Sequence, residues 1–225
     1  MQVNVLGSVK FKNVESFWGF TMSEIVSQVA NALFHSGCLK FGSFRIKSGA
    51  LSPYYIDLAC LLSSPKELGT ITEITASEIR KTTVFDRIDK LASIELKGAL
   101  ILPMIAHQLN LPCIVVRKEE KAYGVTGRIA GAQVANGENI VFFDDVISEG
   151  LSKLEGIKPL EECGAHVKHV IVVVDREQGG KENLEKLGYK VHALAKISEM
   201  VKILLQTKQI SKEHVEAVLN YVKKP

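Results

Sequence analysis

The sequence predicts an α/β protein with a central parallel sheet flanked by helices and a small N-terminal hood. Two observations predict this class. Short strands rich in β-branched residues alternate with helices of about a dozen residues, which is typical of parallel sheets covered on both faces. The runs at 140–143 and 170–174 are continuously apolar, as expected of central strands buried on both sides. Ligands of such folds bind at the carboxyl ends of the strands, so the functional site is expected there.

The N-terminal part of the chain is expected to supply the hood. Residues 1–21 show no sustained periodicity and are predicted to be an extension, or a small added strand. Met22 begins a helical pattern, with Ser23 as a plausible N-cap and one apolar face. The predicted elements of the hood region, 22–83, are this first helix, an extended aromatic-rich stretch at 40–58 and a second helix at 65–82.

Residues 84–225 are predicted to form the core and the C-terminal helices, with the sheet occupying about 84–195. Turn residues such as Gly164 and Gly188 close two of the helical patterns. A charged loop containing several glycines is predicted over 119–131. The predicted strands are 90–96, 113–117, 139–143, 167–174 and 190–195, and the predicted helices are 98–109, 151–163, 181–187, 198–206 and 211–222, the last two with serine N-caps.

The composition excludes several functional classes. The 225 residues carry 28 Lys and Arg against 25 Asp and Glu, a formal charge of +3. This mild balance disfavours a polybasic nucleic-acid binder but permits a local anion site. The four cysteines form no CxxC pair, so a zinc site or disulfide framework is not expected, and a reducing cytoplasm is. The apolar runs fall short of the roughly 20 residues of a membrane span, and no secretion signal is recognised. We expect a cytoplasmic protein without nucleic-acid or membrane partners.

The strongest chemical signal is the segment 142–152 (FFDDVISEGLS), in which a buried strand delivers two adjacent carboxylates, Asp144 and Asp145. A short loop and a helix follow, whose free backbone N–H groups and positive end favour a phosphate. Two carboxylates beside that loop suit the vicinal diol of a sugar, and they also suit Mg²⁺, directly or through water. The alternative is that both residues are only strand-end caps and turn formers.

Four segments, taken together, resemble a known family. The segment 142–152 resembles the phosphoribosyl-pyrophosphate (PRPP) motif of the type I phosphoribosyltransferases. Three others narrow the resemblance to the orotate phosphoribosyltransferases, in that family's order, and the similarity runs from about residue 33 to residue 222. The segments 41–49 (FGSFRIKSG) and 52–57 (SPYYID) together are similar to the family's orotate-side segment. The segment 117–124 (RKEEKAYG) is similar to its mobile catalytic loop, and 175–180 (DREQGG) is similar to its strand-end Asp-Arg segment.

The resemblance implies a type I phosphoribosyltransferase-like fold and the reaction of orotate with PRPP, in the presence of Mg²⁺, to give orotidine 5′-monophosphate and pyrophosphate. It implies a homodimer with shared active sites, in which Lys121 reaches the site of a partner. Decarboxylation of the product is expected to be the task of another chain. The implied catalytic residues are Lys121, Asp144 and Asp145, and the two carboxylates also act on the metal indirectly, through PRPP or water. The implied PRPP and pyrophosphate residues are Lys47, Lys97, Arg117, Lys118, Lys121, Tyr123, Asp144, Asp145, Ser148, Glu149, Gly150, Leu151 and Ser152. The implied orotate residues are Lys47, Tyr54, Tyr55, Ser148 and Arg176.

These implied roles have plainer alternatives. In the family, the residue at the position of Lys97 approaches the pyrophosphate, often through an unusual peptide bond, but Lys97 also reads as an exposed cap. Tyr54 and Tyr55 also read as core aromatics. Arg176 also reads as the ion-pair partner of a neighbouring carboxylate, and the catalytic loop as a solvated surface loop.

Three departures from the family pattern motivate a second hypothesis. In the segment 148–152 (SEGLS), which corresponds to the family's phosphate loop and is called by that name below, Glu149 brings a carboxylate, and Leu151 removes a hydroxyl donor. A carboxylate about 4 Å from a phosphate oxygen would be repelled by about 4 kcal/mol at an effective dielectric near 20, whereas one that points outward favours the helix start. The run 100–102 replaces a Pro-Leu-Ala sequence, and Tyr123 stands where many members have His.

Two functional hypotheses therefore remain at this point, with a weaker third. The first is an orotate phosphoribosyltransferase of de novo pyrimidine synthesis. The second is a catalytically impaired PRPP- or nucleotide-binding protein, or a regulatory partner of a true enzyme. A purine-type phosphoribosyltransferase is disfavoured by Lys47 and Arg176 in their orotate-type contexts.

Overall fold

The N-terminal layer of the molecule consists of helices and an antiparallel β-hairpin that forms its own two-stranded sheet. The computed structural model describes residues 21–46, 49–121 and 127–223, so the predicted extension, apart from Thr21, lies outside the described residues. The elements of this layer are α1 (Met22–His35), β1 (Leu39–Arg45), β2 (Leu51–Ile56), a 3-10 helix (Leu58–Ser63) and α2 (Pro65–Thr82). The two predicted helices and the extended stretch between them are confirmed.

Helix α1 begins at a capping box. Thr21 is the N-cap: its Oγ1 accepts from the Glu24 N–H, while the Glu24 carboxylate accepts from the Thr21 N–H. The predicted N-cap at Ser23 is wrong, because the reciprocal Thr21–Glu24 pair satisfies the free N–H groups two residues earlier. The predicted apolar face is confirmed. Its buried residues include Ile25, Val26, Val29 and Leu33.

A six-stranded sheet lies at the centre of the described residues. Its strands are β3 (Lys90–Ile94), β4 (Cys113–Lys121), β5 (Gly127–Gly131), β6 (Asn139–Ile147), β7 (His166–Asp175) and β8 (Lys190–Lys196), in the order β5-β4-β3-β6-β7-β8. All neighbours pair parallel except β4 and β5, which are antiparallel. The α/β class with a central, mostly parallel sheet is therefore confirmed.

The edge strand β5 corrects one prediction. A loop was predicted over 119–131, but β4 continues to Lys121 and β5 pairs with it, Ile129 lying opposite Val116. The five residues of β5 are too few to show a reliable period, and an edge strand owes its form to its neighbour more than to its own pattern.

Helices cover both faces of the sheet. They are α3 (Lys97–Leu109), α4 (Leu151–Glu162), α5 (Gly180–Lys186), α6 (Ile197–Gln206) and α7 (Lys212–Val222). On β6, Val141 and Phe143 face a buried cluster that includes residues of α1, α2, α3 and α6, while Ile140 and Phe142 face a second cluster under α4 and α5. Successive strand residues point to opposite faces, so both must be apolar, which explains the continuous apolar run. No helix among the described residues is long and apolar enough to span a membrane.

Two boundaries differ from the sequence prediction in ways that affect the site. Strand β6 runs to Ile147, past its predicted end at 143, so Asp144 and Asp145 lie within the strand. The N-cap of α6 is Lys196 and not Ser198, whose N–H and hydroxyl are both bonded to the Glu177 carboxylate. The predicted serine cap of α7 is confirmed by Ser211, which accepts from the His214 N–H.

Candidate active site

A cleft opens at the carboxyl ends of β3, β6 and β7, where the fold class predicts a ligand. It consists of two cavities of about 590 Å³ each that share several lining residues. The first cavity brings together these sequence-predicted residues: Tyr55, Lys97, Lys118, Asp144, Asp145, Ser148, Ser152 and Arg176. The second adds Glu149, Gly150 and Leu151. Residues far apart in the chain thus meet in one place, as the sequence predicts.

The acidic pair is built around a buried ion pair. The Asp144 carboxylate is almost fully buried, and its Oδ2 lies 2.7 Å from the Nζ of Lys153 in α4. Its Oδ1 accepts from the Asp145 N–H at 2.9 Å. Lys153 is only 4% exposed and also donates to the Val146 carbonyl and, at 3.3 Å, to Ser152 Oγ. Asp144 therefore enters the site already paired with a cation of the protein itself.

Lys153 is not among the sequence-predicted site residues. The available signal is its place on α4: it lies four and seven residues before Ile157 and Leu160, which are buried, so a lysine occupies the apolar face of the helix. A charged residue on such a face requires a buried partner, and the carboxylates of the preceding strand are the near candidates.

Asp145 has a strongly altered acidity. Burial raises its pKa to about 7, with a further rise from the charge of Asp144, while the Lys153 ammonium acts in the opposite direction. An acidity altered by burial and by a neighbouring charge is common in functional sites.

Lys97 is the first residue of α3 and is held in the cleft. Its Nζ lies 3.2 Å from Asp57 Oδ1 and 5.6 Å from the centre of the Tyr55 ring. Burial lowers the pKa of Lys97, but the hydrogen bond to Asp57 and the charges of Asp57 and Asp145 outweigh it and raise the pKa overall. The ammonium is therefore fully charged at neutral pH. The peptide bond between Glu95 and Leu96, one residue before the bond to Lys97, is cis.

Gly98 permits a close approach of α3 to the acidic pair. A Cβ at this position would lie 2.6 Å from Asp144 Oδ1, 3.0 Å from Asp144 Cα and 2.5 Å from Ser93 Oγ. These distances are shorter than real Cβ contacts, so only glycine fits without displacement. Gly98 and Lys153 thus enclose the Asp144 carboxylate from two sides.

Arg176 projects from the end of β7 and rests on Tyr54. Its Nε donates to the Tyr54 hydroxyl at 3.1 Å, its guanidinium carbon lies 5.0 Å from the Tyr54 ring centre, and its Nη1 reaches Ser148 Oγ at 3.5 Å. Tyr54 is fully buried, and burial raises the pKa of its hydroxyl. The ring is thus a core aromatic whose polar end supports the guanidinium, while Tyr55 is partly exposed beside Lys97.

Hydrogen bonds on both sides fix the segment after Arg176. The Asp175 carboxylate accepts from the Glu177 N–H at 2.7 Å, and burial raises the pKa of Asp175. The Glu177 carboxylate accepts from the Ser198 N–H and hydroxyl at 2.9 and 3.0 Å. These bonds fix the backbone that carries Arg176, so neither neighbouring carboxylate is its ion-pair partner in the described contacts.

The phosphate loop ends at a helix start that no side chain caps. Gly150 is the N-cap of α4, with φ +90°, and makes no side-chain cap hydrogen bond. The loop lies on Gly180, whose N–H donates to the Ser148 carbonyl at 2.8 Å. A Cβ added at Gly180 would lie 2.3 Å from that carbonyl oxygen. Glu149 and Leu151 are exposed, so the departures from the family pattern leave the backbone N–H groups of the helix start in place.

The comparisons with known proteins agree with this geometry. No family model matches the chain. An orotate phosphoribosyltransferase of Pyrococcus horikoshii is 37% identical to it over 175 residues, 78% of this chain and 92% of that protein. One of Methanocaldococcus jannaschii is 35% identical over 174 residues, 77% of this chain and 96% of that protein. The chain belongs to the orotate phosphoribosyltransferase family.

Solved structures place the fold in the same family. The UMP synthase of Leishmania donovani matches with a TM-score of 0.76 and 31% identity, covering 87% of this chain and 42% of that chain. The orotate phosphoribosyltransferase of Aeropyrum pernix matches with a TM-score of 0.68 and 26% identity, covering 81% of this chain and 99% of that chain. The family-specific fold prediction is confirmed.

Some family positions lie outside the described residues. Lys47 and Tyr123 do, and so does the side chain of Lys121, whose backbone ends β4 opposite Gly127. Arg117 is described: its Nη1 donates to the Gly127 carbonyl at 2.9 Å. The Lys118 N–H donates to the Glu95 carboxylate at 2.8 Å.

The acidic pair does not fit direct binding of Mg²⁺. No group of three or more His, Cys, Asp or Glu among the described residues could hold a metal ion. Lys153 already occupies one Asp144 oxygen, and a backbone N–H occupies the other.

Proposed function

We propose that the protein transfers the 5-phosphoribosyl group of PRPP to orotate, giving orotidine 5′-monophosphate and pyrophosphate in de novo UMP synthesis. The observation that carries this proposal is the meeting of Lys97, Arg176 and the acidic pair at the uncapped start of α4. It is supported by the relatives named orotate phosphoribosyltransferase. Nothing among the described residues favours the alternative of an impaired binding protein.

The ribose 5-phosphate part of PRPP fits the second cavity and the acidic pair. We assign the 5′-phosphate to the backbone N–H groups of residues 148–152, because a helix N-terminus favours an anion. The ribose hydroxyls then lie against Asp144 and Asp145 as hydrogen-bond donors. This arrangement needs no contribution from the side chains of Glu149 and Leu151.

The diphosphate and orotate fit the other side of the cleft. Lys97 faces the position of the diphosphate, and we assign to it also Lys47, Arg117, Lys118, Lys121 and Tyr123. Arg176 is assigned to orotate, because a planar guanidinium can donate two parallel hydrogen bonds to an acidic pyrimidine. The backbone of Tyr54 and Tyr55, with Lys47 and Ser148, borders the same position.

The reaction breaks the bond between C1′ and the diphosphate oxygen and forms a bond from C1′ to the ring nitrogen of orotate, whose N–H proton is released to the departing diphosphate or to water. The electron pair of the broken bond leaves with the diphosphate, and positive charge develops at C1′. Fixed cations such as Lys97 stabilise the leaving group, and such preorganised charge is commonly the largest catalytic contribution. We assign Mg²⁺ to the substrate as its diphosphate complex, in which it neutralises part of the phosphate charge.

We also propose a cytoplasmic homodimer. Leu96, Leu100 and Met104 are spaced four residues apart at the start and along α3, and all three are exposed. A stripe of large apolar side chains beside the cleft is suited to burial against a second copy. The four cysteines are all free, which agrees with a reducing compartment.

The test is an orotate absorbance assay with the purified chain. We expect loss of orotate that requires both PRPP and Mg²⁺ and stops on chelation. Lys121→Ala is expected to lower kcat by about 100-fold or more, as removal of a cation at a developing charge does, and the exposed Lys158→Ala serves as the matched control. A folded wild-type protein without PRPP-dependent loss of orotate would refute the proposal.

A further inference from the structure

Lys153 is an unusual residue for the place that it occupies. It belongs to the buried face of α4, next to apolar residues, yet it carries an ammonium group. Burying an unpaired charge is very costly, so such a residue persists only with close partners. Its nearest charged partner is the carboxylate of Asp144, at 2.7 Å.

The hydrogen bonds of Lys153 show that it serves the protein and not the substrate directly. A lysine has three N–H donors and no acceptor. In the structure, Nζ contacts three acceptors, namely Asp144 Oδ2, the Val146 carbonyl and Ser152 Oγ. With all three donors engaged, none remains for a bound ligand.

The same contacts determine what Asp144 can do. The Lys153 ammonium is paired with Oδ2, and the Asp145 N–H donates to one lone pair of Oδ1. Gly98 packs so closely against Oδ1 that no side chain fits between them. The carboxylate is therefore fixed in one orientation. The Asp144 carboxylate retains lone pairs that can accept from a hydroxyl group, but the Lys153 ammonium already occupies the position at which a metal cation would bind it.

We propose that Lys153 is a positioning residue that fixes Asp144 as an acceptor for a ribose hydroxyl and takes the place of a divalent cation against it. The identity of the sugar rests on the proposed function, whereas the exclusion of the metal does not. The free protein then has no divalent cation at the acidic pair, and removal of Lys153 exposes a pair of adjacent carboxylates that can bind one.

The first measurement uses the metal alone. Mn²⁺ is titrated into the substrate-free protein and bound ion is followed by electron paramagnetic resonance. We expect Lys153→Met to gain one Mn²⁺ site that the wild type lacks at the same concentrations. The double variant Lys153→Met with Asp144→Asn should lose it again. Lys158→Met, an exposed lysine of the same helix, should behave like the wild type.

The second measurement uses ribose 5-phosphate without metal. Calorimetry is expected to show binding to Lys153→Met that is weaker by about tenfold or more, since an unfixed acceptor loses most of a charge-assisted hydrogen bond. In a double-mutant cycle, Asp144→Asn should cost much less in the Lys153→Met background than in the wild type. A merely structural role for Lys153 would leave these two losses additive.

Fold integrity is checked by circular dichroism. Lys153→Gln, which keeps a donor to Asp144 but not the charge, gives a second variant with the same Mn²⁺ expectation. The proposal is overturned if the wild type binds Mn²⁺ at the acidic pair, or if folded Lys153→Met and Lys153→Gln both bind none. Failure of the orotate assay alongside the expected Mn²⁺ result would refute only the proposed function.

Discussion

Replacing Gly98 with alanine is expected to disturb the acidic pair from the side opposite Lys153. The new Cβ would lie 2.5 Å from Ser93 Oγ, 2.6 Å from Asp144 Oδ1 and 3.0 Å from Asp144 Cα. The serine hydroxyl can rotate away. The Asp144 atoms cannot yield easily, because the carboxylate is held by Lys153 and by the Asp145 N–H.

The size of the effect follows from opposing contributions. Overpacking costs roughly 1–3 kcal/mol, and the better helix propensity of alanine returns about 1 kcal/mol. Without any displacement of Asp144, the two contributions together lower the free energy of unfolding by about 0–2 kcal/mol. If the Asp144 carboxylate is pushed off Lys153, a buried ion pair is broken and the loss rises to about 3 kcal/mol or more. Because the ribose acceptor moves in that case, kcat/KM for PRPP should fall by about tenfold or more.

Urea unfolding and the orotate assay measure the two effects separately. Two glycine-to-alanine variants are matched controls. Gly69 lies in α2 with nothing within 4 Å of its Cβ position, so Gly69→Ala should gain about 0.5–1 kcal/mol and keep its activity. Gly156→Ala overpacks against Phe142, with 2.6 Å to its Cζ, and should lose stability without a matching loss of kcat/KM per folded molecule.

One result would refute this reasoning. If Gly98→Ala unfolds at the same urea concentration as the wild type and keeps its kcat/KM for PRPP, then α3 does not constrain Asp144 as the distances indicate. If Gly98→Ala loses as much stability as Gly156→Ala but keeps full activity, then Gly98 matters only for packing.

Three further predictions concern other parts of the molecule. Arg176→Gln should raise the KM for orotate by about tenfold or more while changing that for PRPP less, since a charge-assisted hydrogen bond is lost, whereas equal changes in both would contradict its assignment. If the proposed dimer forms, Leu100→Arg should convert it to a monomer in light scattering, whereas Leu187→Arg, also at an exposed residue, is the control that should leave it intact. Burial, followed by the charge of His169, lowers the pKa of His192 to about 4 in the folded state, whereas the unfolded state takes up the proton near 6.5. The free energy of unfolding should therefore fall as the pH drops from about 6.5 to about 4. His192→Gln should flatten that urea-unfolding profile, and parallel profiles would contradict the assignment.

Local patterns predicted the parts of the fold that depend on local sequence. Helix α2 begins and ends at the predicted residues, because Pro65 suits a first helical turn and the apolar spacing continues to the last one. The continuous apolar run of β6 predicted burial on both faces, and Phe142 and Phe143 do face opposite clusters. Strand β5 could not be predicted in this way, since its form depends on pairing with β4.

The same distinction applies to the site. The acidic pair was predicted because it follows a recognisable buried strand, whereas Lys97 and Arg176 were predicted because the segments around them resemble those of the family. Lys153 was missed because its role depends on a contact between a helix face and the strand before it, and a lysine in the first turn of a helix reads as solvated until that contact is known. Tyr54 had two alternatives, a core residue and a site residue; its ring is fully buried, and its hydroxyl accepts a hydrogen bond from Arg176, which lines the cleft.

The charges of the cleft indicate how it can accept a polyanion. Much of its positive charge is already committed, since Lys97 is bound to Asp57 and Lys153 to Asp144. These pairs hold the side chains in position before a substrate arrives, which reduces the reorganisation needed when charge develops. Each of these two pairs is neutral overall and therefore adds no net positive charge to balance the diphosphate of the proposed substrate. In the proposed reaction, Mg²⁺ bound to the diphosphate and Lys121 of the 117–124 segment supply part of that balance, so the mild net charge of the chain is compatible with a highly anionic substrate.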